Sequence, residues 1–357
     1  MHIPDGYLSP STCAVMGAAM VPIWAAAGRR VKCVVRSRYV PLIALGAAYA
    51  FLVMMFNVPI PDGTTAHAIG AVLIAVILGP WAATIAVSIS LLIQALFFGD
   101  GGVLAYGANA FNMAFVMPFV GYGVYRALSR GSALTSRRRA VAAGIGGYAG
   151  INAAALCAAV EFGLQPELFS SPDGTPLYAP FGLGVTIPAM ALAHLTVAGG
   201  VEAVLTFGAV AYLQRANLPL LRINHAAIPD TDAELPAPGR LGWTWALIPL
   251  GAMLVLSPLG LLASGGAFGE DAPADLDLSK YGLTGVPAGL HRDAGSWSHA
   301  MLGGYGFSDG RHEVGGYLIS AGIGVAAVAG AVIGGFALVR AMSRARRSGP
   351  GADSSAA

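Results

Sequence analysis

The first two residues can bind a metal ion through nitrogen atoms alone. A free amine on Met1 and the amide nitrogen of His2 close a five-membered chelate ring, and that amide with Nδ1 of His2 closes a six-membered ring. Three nitrogens fixed in a plane favour Ni(II) or Cu(II) over tetrahedral Zn(II). Metal binding must displace protons from the donors, so we expect affinity to fall in acid. The simpler interpretation is that His2 is a polar residue at an exposed terminus.

A second histidine favours the metal interpretation. His67 is the one other histidine among the first 190 residues, and it follows a Pro-Asp-Gly sequence at 61–63, while His2 precedes another at 4–6. Proline presets a turn and glycine accepts positive φ, so both sequences predict tight turns. We expect the first turn to fold the chain terminus back towards His67. We therefore predict Met1, His2 and His67 as the metal ligands.

Three amide side chains are further candidates. Asn109 and Asn112 are three residues apart and are expected on one helix face, one helix after Gln94. Such amides either orient metal ligands or hydrogen-bond one membrane helix to another. The second role is the one that we favour for Gln94, Asn109 and Asn112.

The remaining ionisable residues of the apolar segments have two interpretations. Glu161, His194 and Glu202 are candidates for a proton or ion relay, although helix packing is the commoner use of such groups. Three more histidines follow near the end of the chain, with a spacing that matches no known ligand set: His291, His299 and His312.

Several function classes lack their motifs. Neither lysine, Lys32 or Lys280, lies in a GxxxxGK[ST] sequence, so the chain has no ATPase motif of its own. HExxH and basic-aromatic nucleic-acid motifs are absent as well. A metalloenzyme would need a base beside the metal, and Asp5 and Asp62 are the acids expected there, each explained by its turn. Three cysteines are interpreted as small apolar residues: Cys13, Cys33 and Cys157.

Composition predicts an all-α polytopic membrane protein. Hydrophobic residues make up 56% of the 357 positions and charged residues 11%, and the mean hydropathy is +0.67. Soluble domains carry about 25% charged residues. No basic region precedes the first apolar run, so we expect the N-terminus to persist rather than to be cleaved as a signal peptide. Nine apolar segments are candidate spans: 10–28, 39–58, 64–79, 81–98, 103–127, 140–163, 183–214, 243–264 and 317–340.

Charge distribution sets the predicted orientation. If the N-terminus is external, 17 of the 20 lysines and arginines fall in cytoplasmic segments, as the positive-inside rule requires. Three remain outside: Lys280, Arg292 and Arg311. We therefore predict an external N-terminus and a cytoplasmic C-terminus. Omitting the short third span, 64–79, would invert every later segment and spoil this distribution.

The spans form two predicted units. A seven-helix unit covers 1–214, and a polar, proline-rich cytoplasmic linker covers 215–242. A two-helix unit covers 243–340 with an external loop at 265–316, and a cytoplasmic tail covers 341–357.

Three sequence stretches resemble one family. MHIPDGYLSP, PDGTTAHAIGAVLIAVILGPWAA and LLIQALFFGDGGVLAYGANAFNMAFVMPFVGYGVY are similar to the substrate-binding membrane subunit, or S component, of energy-coupling-factor cobalt and nickel transporters. This resemblance covers about 1–215. The segment 243–340 resembles the small two-helix auxiliary subunit of these systems, although a Pro-Asp-Gly-type motif reads Ser308-Asp309-Gly310 here.

The resemblance implies a site, partners and a location. In the family the metal is held by the amino-terminal nitrogen, the amide and imidazole of residue 2 and a histidine after the first external loop, which correspond to Met1, His2 and His67. It implies Co²⁺ or Ni²⁺ as cargo rather than cofactor, for cobalamin synthesis or nickel enzymes. It also implies a transmembrane coupling subunit, two cytoplasmic ATPase subunits and a prokaryotic plasma membrane. The alternative is a stand-alone, ion-coupled metal permease.

Overall fold

The computed structural model describes residues 1–34, 39–60, 64–225, 244–263, 265–307 and 310–345. Helices dominate this part of the chain, because in lipid each segment must satisfy its own backbone hydrogen bonds. The helices are α1 (Pro10–Val34), α2 (Val40–Met54), α3 (Ala71–Leu78), α4 (Pro80–Ile93), α5 (Tyr106–Asn109), α6 (Met117–Ser129), α7 (Arg137–Gly163), α8 (Gln165–Leu168), α9 (Leu183–Ala193), α10 (Gly199–Ala216), α11 (Leu218–Leu221), α12 (Thr244–Leu256), α13 (Ala288–Asp293) and α14 (Glu313–Ala345). Two short strands, β1 (Val58–Pro59) and β2 (Thr65–Ala66), pair antiparallel.

The helices confirm an all-α membrane protein. In the described ranges, five helical stretches are long and apolar enough to cross a bilayer: Pro10–Val31, Pro80–Phe98, Arg137–Leu168, Leu183–Ala216 and Glu313–Met342. Two shorter apolar helices accompany them, Val40–Met54 and Ala246–Leu262. Several of these carry proline in the first turn, where its missing N–H breaks no helical hydrogen bond.

The predicted helical span at 64–79 is wrong in its first seven residues. The helix α3 begins only at Ala71, after Gly70 in the left-handed region (φ 74°). Eight residues rise about 12 Å, whereas a bilayer core is about 30 Å thick. Residues 64–70 instead contain β2 and an irregular segment whose backbone is buried. Irregular backbone is tolerated at membrane depth when protein groups satisfy its hydrogen bonds, and here a side chain of α10 does so.

Three π-helical turns interrupt the bundle. They cover Gln94–Phe98 after α4, Ala110–Val116 after α5 and His194–Ala198 after α9. Such turns are rare and occur frequently at functional sites. Each adds a residue to its turn, so it changes which face the following side chains occupy.

The helix α14 packs against α2 by close backbone approach. A Cβ added to Gly324 would lie 1.9 Å from the ring of Phe51. Nearby, the hydroxyl of Tyr317 donates a 2.6 Å hydrogen bond to the carbonyl of Met55. The two predicted units are therefore in direct contact through buried residues.

Part of the predicted linker packs against the first unit. The Asn224 amide donates to the carbonyls of Ala75 (3.2 Å) and Val76 (3.4 Å) at the end of α3. Nε2 of His225 lies 3.1 Å from the hydroxyl of Tyr125. Residues 226–243 lie outside the described part, as do the turn at 61–63 and Ser308-Asp309.

Replacing Gly324 with leucine should loosen the contact between α14 and α2. The ring of Phe51 is fully buried and cannot withdraw, and overpacking a core typically costs about 1–3 kcal/mol. We expect a lower thermal unfolding midpoint for the detergent-purified Gly324→Leu protein. Gly322→Leu, on the same helix where a Cβ meets nothing within 4 Å, should stay near wild type. Equal midpoints for the two variants would show that this close contact does not matter.

Candidate metal site

The N-terminal tip, residues 1–8, is folded into the protein. Ile3, Tyr7 and Leu8 are fully buried. Gly6 adopts φ 90° in the predicted Pro4-Asp5-Gly6 turn, and a Cβ there would lie 2.7 Å from the carbonyl of Leu290. A chain terminus is usually poorly ordered unless it is held down, so this burial needs specific partners.

Asp5 supplies one of these partners. Its carboxylate accepts hydrogen bonds from the backbone N–H groups of Val103 (3.0 Å), Leu104 (2.8 Å) and Ala105 (3.1 Å). These are unpaired donors at the start of α5, where an acidic side chain acts as a cap. Ser296 of the loop 265–316 donates to the same carboxylate at 3.0 Å. Asp5 therefore ties the tip both to α5 and to the second unit.

Asn109 holds the tip by two hydrogen bonds to one residue. Its Oδ1 accepts from the N–H of Ile3 at 2.8 Å, and its Nδ2 donates to the carbonyl of Ile3 at 3.0 Å. The N–H of Gly102 donates to the same carbonyl at 2.8 Å. The backbone is thus fixed one residue after His2, which limits where the imidazole can go.

His67 is held by a buried acid of α10. The Glu202 carboxylate accepts from the N–H groups of Ile69 (2.8 Å) and Gly70 (3.0 Å). Nδ1 of His67 lies 3.0 Å from the carbonyl of Ala68. A carbonyl can only accept, so Nδ1 carries the proton and Nε2 keeps a free lone pair. Such an outer hydrogen bond is the usual way to fix the tautomer of a metal-binding histidine.

The two histidines meet at the tip. Nδ1 of His2 lies 3.2 Å from Nε2 of His67, and the ring centroids are 5.0 Å apart. Both side chains are buried, with 2% and 5% of their surface exposed. Burial and the adjacent terminal ammonium lower the pKa of His2 to about 4. The same causes lower the pKa of His67 to about 3. Both imidazoles are therefore neutral at pH 7, which is the form that binds metals.

Two carboxylates lie beside the same nitrogens. Oε1 of Glu270 is 2.8 Å from the amine of Met1, and Oδ1 of Asp100 is 3.2 Å from Nδ1 of His2. Burial disfavours ionisation of Glu270, but the Met1 ammonium outweighs it, and the pKa of Glu270 is below its usual value. Both neighbours of Nδ1 of His2 accept hydrogen, so this atom carries a proton here. A bound metal would take the place of that proton.

The expectation that Asp5 and Asp62 are the acids nearest the ligands is wrong. Asp62 lies outside the described residues, and Asp5 caps α5. Asp100 and Glu270 make the direct contacts. Asp100 has a weak sequence signal in its Gly-Asp-Gly-Gly turn, whereas Glu270 is 269 residues from Met1 and nothing in its neighbourhood marks it.

The amide candidates separate in the structure. Asn109 positions the tip, and the Gln94 amide donates to the hydroxyl of Tyr305 at 3.0 Å and, more weakly, to Asp100. Asn112 is directed elsewhere, since its amide donates to Glu161 at 2.8 Å. The predicted shared face of Asn109 and Asn112 is therefore wrong, because the π-helical turn from Ala110 intervenes.

The other histidines stay apart from the tip. Nδ1 of His194 lies 2.9 Å from the carbonyl of Met190 within α9. His291, His299 and His312 are exposed on the second unit. Among the described residues, no three side chains of His, Cys, Asp or Glu form a metal-binding group. A tight metal site at the tip would therefore require backbone nitrogen as well as the two imidazoles.

Replacing Asn109 with alanine should weaken nickel or cobalt binding. It releases the backbone beside His2, and losing an outer partner of a metal ligand typically costs 10–100-fold in metal affinity. The affinity can be measured by competition with a chromophoric chelator. Asn112→Ala is the matched control, because it removes the same group without touching the tip. If both variants bind equally well, Asn109 does not position the site.

Comparisons with known proteins agree with this arrangement. Residues 2–220 match the family CbiM, described as "Cobalt uptake substrate-specific transmembrane region". The chain is 49% identical to the fused nickel transport protein NikMN of Rhodobacter capsulatus, over 96% of this chain and 99% of that protein. It is 46% identical to the probable fused nickel transport protein LarMN of Lactiplantibacillus plantarum, over 85% and 90%. A solved transition metal transporter is 62% identical, with a TM-score of 0.57 over 60% of this chain and 93% of that one. The chain therefore belongs to the CbiM family, the substrate-specific transmembrane regions of cobalt uptake.

Proposed function

We propose that this chain captures Ni²⁺ or Co²⁺ for uptake across a prokaryotic plasma membrane, as the S component of an energy-coupling-factor transporter. The proposed ligands are the Met1 amine, the amide nitrogen of His2, Nδ1 of His2 and Nε2 of His67. The observation that carries this proposal is the 3.2 Å approach of the two imidazole nitrogens at a buried chain terminus.

The spacing of the nitrogens suits a square of donors. With metal–nitrogen bonds of about 2.0–2.1 Å, neighbouring corners of a square lie about 2.9 Å apart. The amine, amide and imidazole of residues 1 and 2 occupy three corners by ring closure. Nε2 of His67 then takes the corner next to Nδ1 of His2, which needs a shift of only a few tenths of an ångström from the observed distance. The proposal requires a free amine at Met1.

Nickel is the cargo that we propose first. A planar nitrogen set with a deprotonated amide suits Ni(II). The relatives that match across both predicted units are named as nickel transport proteins. Cobalt is the second cargo, because the family description names cobalt uptake and the same donors can hold it.

We further propose the division of the chain. Residues 1–214 form the seven-helix S component, 215–242 the cytoplasmic linker, 243–340 the auxiliary unit with its external loop at 265–316, and 341–357 the tail. The N-terminus is external and the C-terminus cytoplasmic. This orientation puts the tip, Asp100 and Glu270 at the face where metal arrives.

Transport requires further subunits. The chain has no ATPase motif, so a transmembrane coupling subunit and two cytoplasmic ATPases of the same transporter would supply the energy. Their rearrangement would break the donor set and release the metal inward. The acids that a stand-alone permease would use already have partners, since Glu161 accepts from Asn112 and Glu202 from Ile69 and Gly70.

A one-residue extension tests the proposed ligands directly. An additional methionine before Met1 moves the free amine away from the His2 chelate rings without changing any side chain. We expect the extended protein, and His67→Ala, to lose bound nickel and nickel uptake. The readouts are metal analysis of the purified full chain and uptake in cells that supply the partner subunits.

Two controls belong to this test. An extension of the same length at the C-terminus and His299→Ala, an exposed histidine of the second unit, should both retain wild-type metal content. Normal nickel content in the N-terminally extended protein would refute the proposed ligands.

A further inference from the structure

A cavity of about 320 Å³ adjoins the paired imidazoles. Both predicted units contribute to its wall. The first provides His2, His67 and Asp100, and the second provides Glu270, Tyr305 and Tyr317. The nitrogen donors therefore lie at one side of a space large enough for a partly hydrated ion, rather than directly at the protein surface.

The carboxylates in this wall are placed next to the nitrogen donors. Oε1 of Glu270 lies 2.8 Å from the Met1 amine, and Oδ1 of Asp100 lies 3.2 Å from Nδ1 of His2. Their side chains keep 22% and 20% of their surface accessible. A cation bound to these oxygens would be one ligand exchange away from the nitrogens.

Asp100 is held in place from the opposite side. The hydroxyl of Tyr305 donates to Oδ2 of Asp100, and the Gln94 amide donates weakly to the same oxygen. Oδ1 is left facing His2. Tyr305 belongs to the second unit, so that unit both contributes one acid and orients the other.

The charge of the cavity wall favours a divalent cation. Among the described residues that line it, none is lysine or arginine. The Met1 ammonium is the nearby positive group, and it faces two carboxylates. Such a low-dielectric cleft lined by one sign of charge concentrates counter-ions and raises their association rate.

A buried polar atom in the wall also lacks a partner. Nε2 of His2 is buried and has no hydrogen-bond partner in the described part of the chain. The proposed donor set uses Nδ1 of His2, so it leaves Nε2 unsatisfied. Buried polar groups normally find a partner, and water on a hydrated ion in the cavity would provide one.

The geometry points to a loading site in which Asp100 and Glu270, one from each unit, hold a hydrated Ni²⁺ or Co²⁺ before it passes to the nitrogen donors. This inference rests on the proposed function of the tip. Carboxylates and water are weaker ligands for these metals than imidazole and amide nitrogen. The loading site therefore sets how fast metal is captured, while the nitrogens set how tightly it is held.

The loading rate of nickel tests this site. The full-length protein with a free Met1 amine would be mixed rapidly with Ni²⁺ alone, and the absorbance of the final nickel–nitrogen complex followed with time. We expect Glu270→Gln and Asp100→Asn each to lower the second-order loading rate about tenfold, the lower range of electrostatic steering. Added salt should slow the wild type more than either variant. The final spectrum and stoichiometry should not change.

Two further variants make the test specific. Asp275→Asn removes the same charge from an exposed position of the same loop, outside the cavity wall, and should load at the wild-type rate. Glu270→Asp keeps the carboxylate and should recover most of the rate. Matching thermal unfolding midpoints would show that all four proteins are folded.

The outcomes separate the two proposals. Loading of Glu270→Gln and Asp100→Asn at the rate of Asp275→Asn would overturn the loading site. A changed final spectrum would overturn it too, because the carboxylates would then belong to the final donor set. Failure of the wild type to bind nickel at all would instead refute the proposed function of the tip.

Discussion

The paired hydrogen bonds between Asn109 and Ile3 are the constraint on which the site depends. A free chain end loses about 1–2 kcal/mol of backbone entropy per residue when it is ordered. Here the amide fixes both backbone groups of Ile3, Asp5 caps α5, and the apolar side chains of the tip are buried. Because these contacts hold residue 3, the amine and imidazole of residues 1 and 2 have little freedom left. The chain terminus can then act as a preorganised ligand.

The other half of the site is held from the helix bundle. The short helix α3 begins immediately after the segment that carries His67. Glu202 binds the backbone at its first end, and Asn224 binds carbonyls at its last turn. The segment after α10, which leads into the predicted linker, is therefore joined through α3 to the position of His67. This arrangement gives a physical connection between the two ends of the first unit.

Sequence reasoning found His2 and His67 because chelate-ring closure depends only on neighbouring residues and because histidines are scarce in the first unit. It predicted the helical class from composition. It failed where tertiary contacts decide. Glu270 reaches Met1 across 269 residues, and no local pattern announces this. Asn112 seemed to share a face with Asn109 until a π-helical turn changed the phase. The third span was expected to be helical throughout, because the buried Glu202 that satisfies an irregular backbone cannot be recognised from hydropathy.

X-ray absorption at the nickel edge of the loaded, full-length protein tests the central claim most directly. The account predicts four nitrogen donors in a plane at about 2 Å, with the strong pre-edge feature of square-planar nickel and no oxygen or sulfur ligand. A six-coordinate shell of mixed oxygen and nitrogen, or a metal–sulfur distance from Met1, would contradict it.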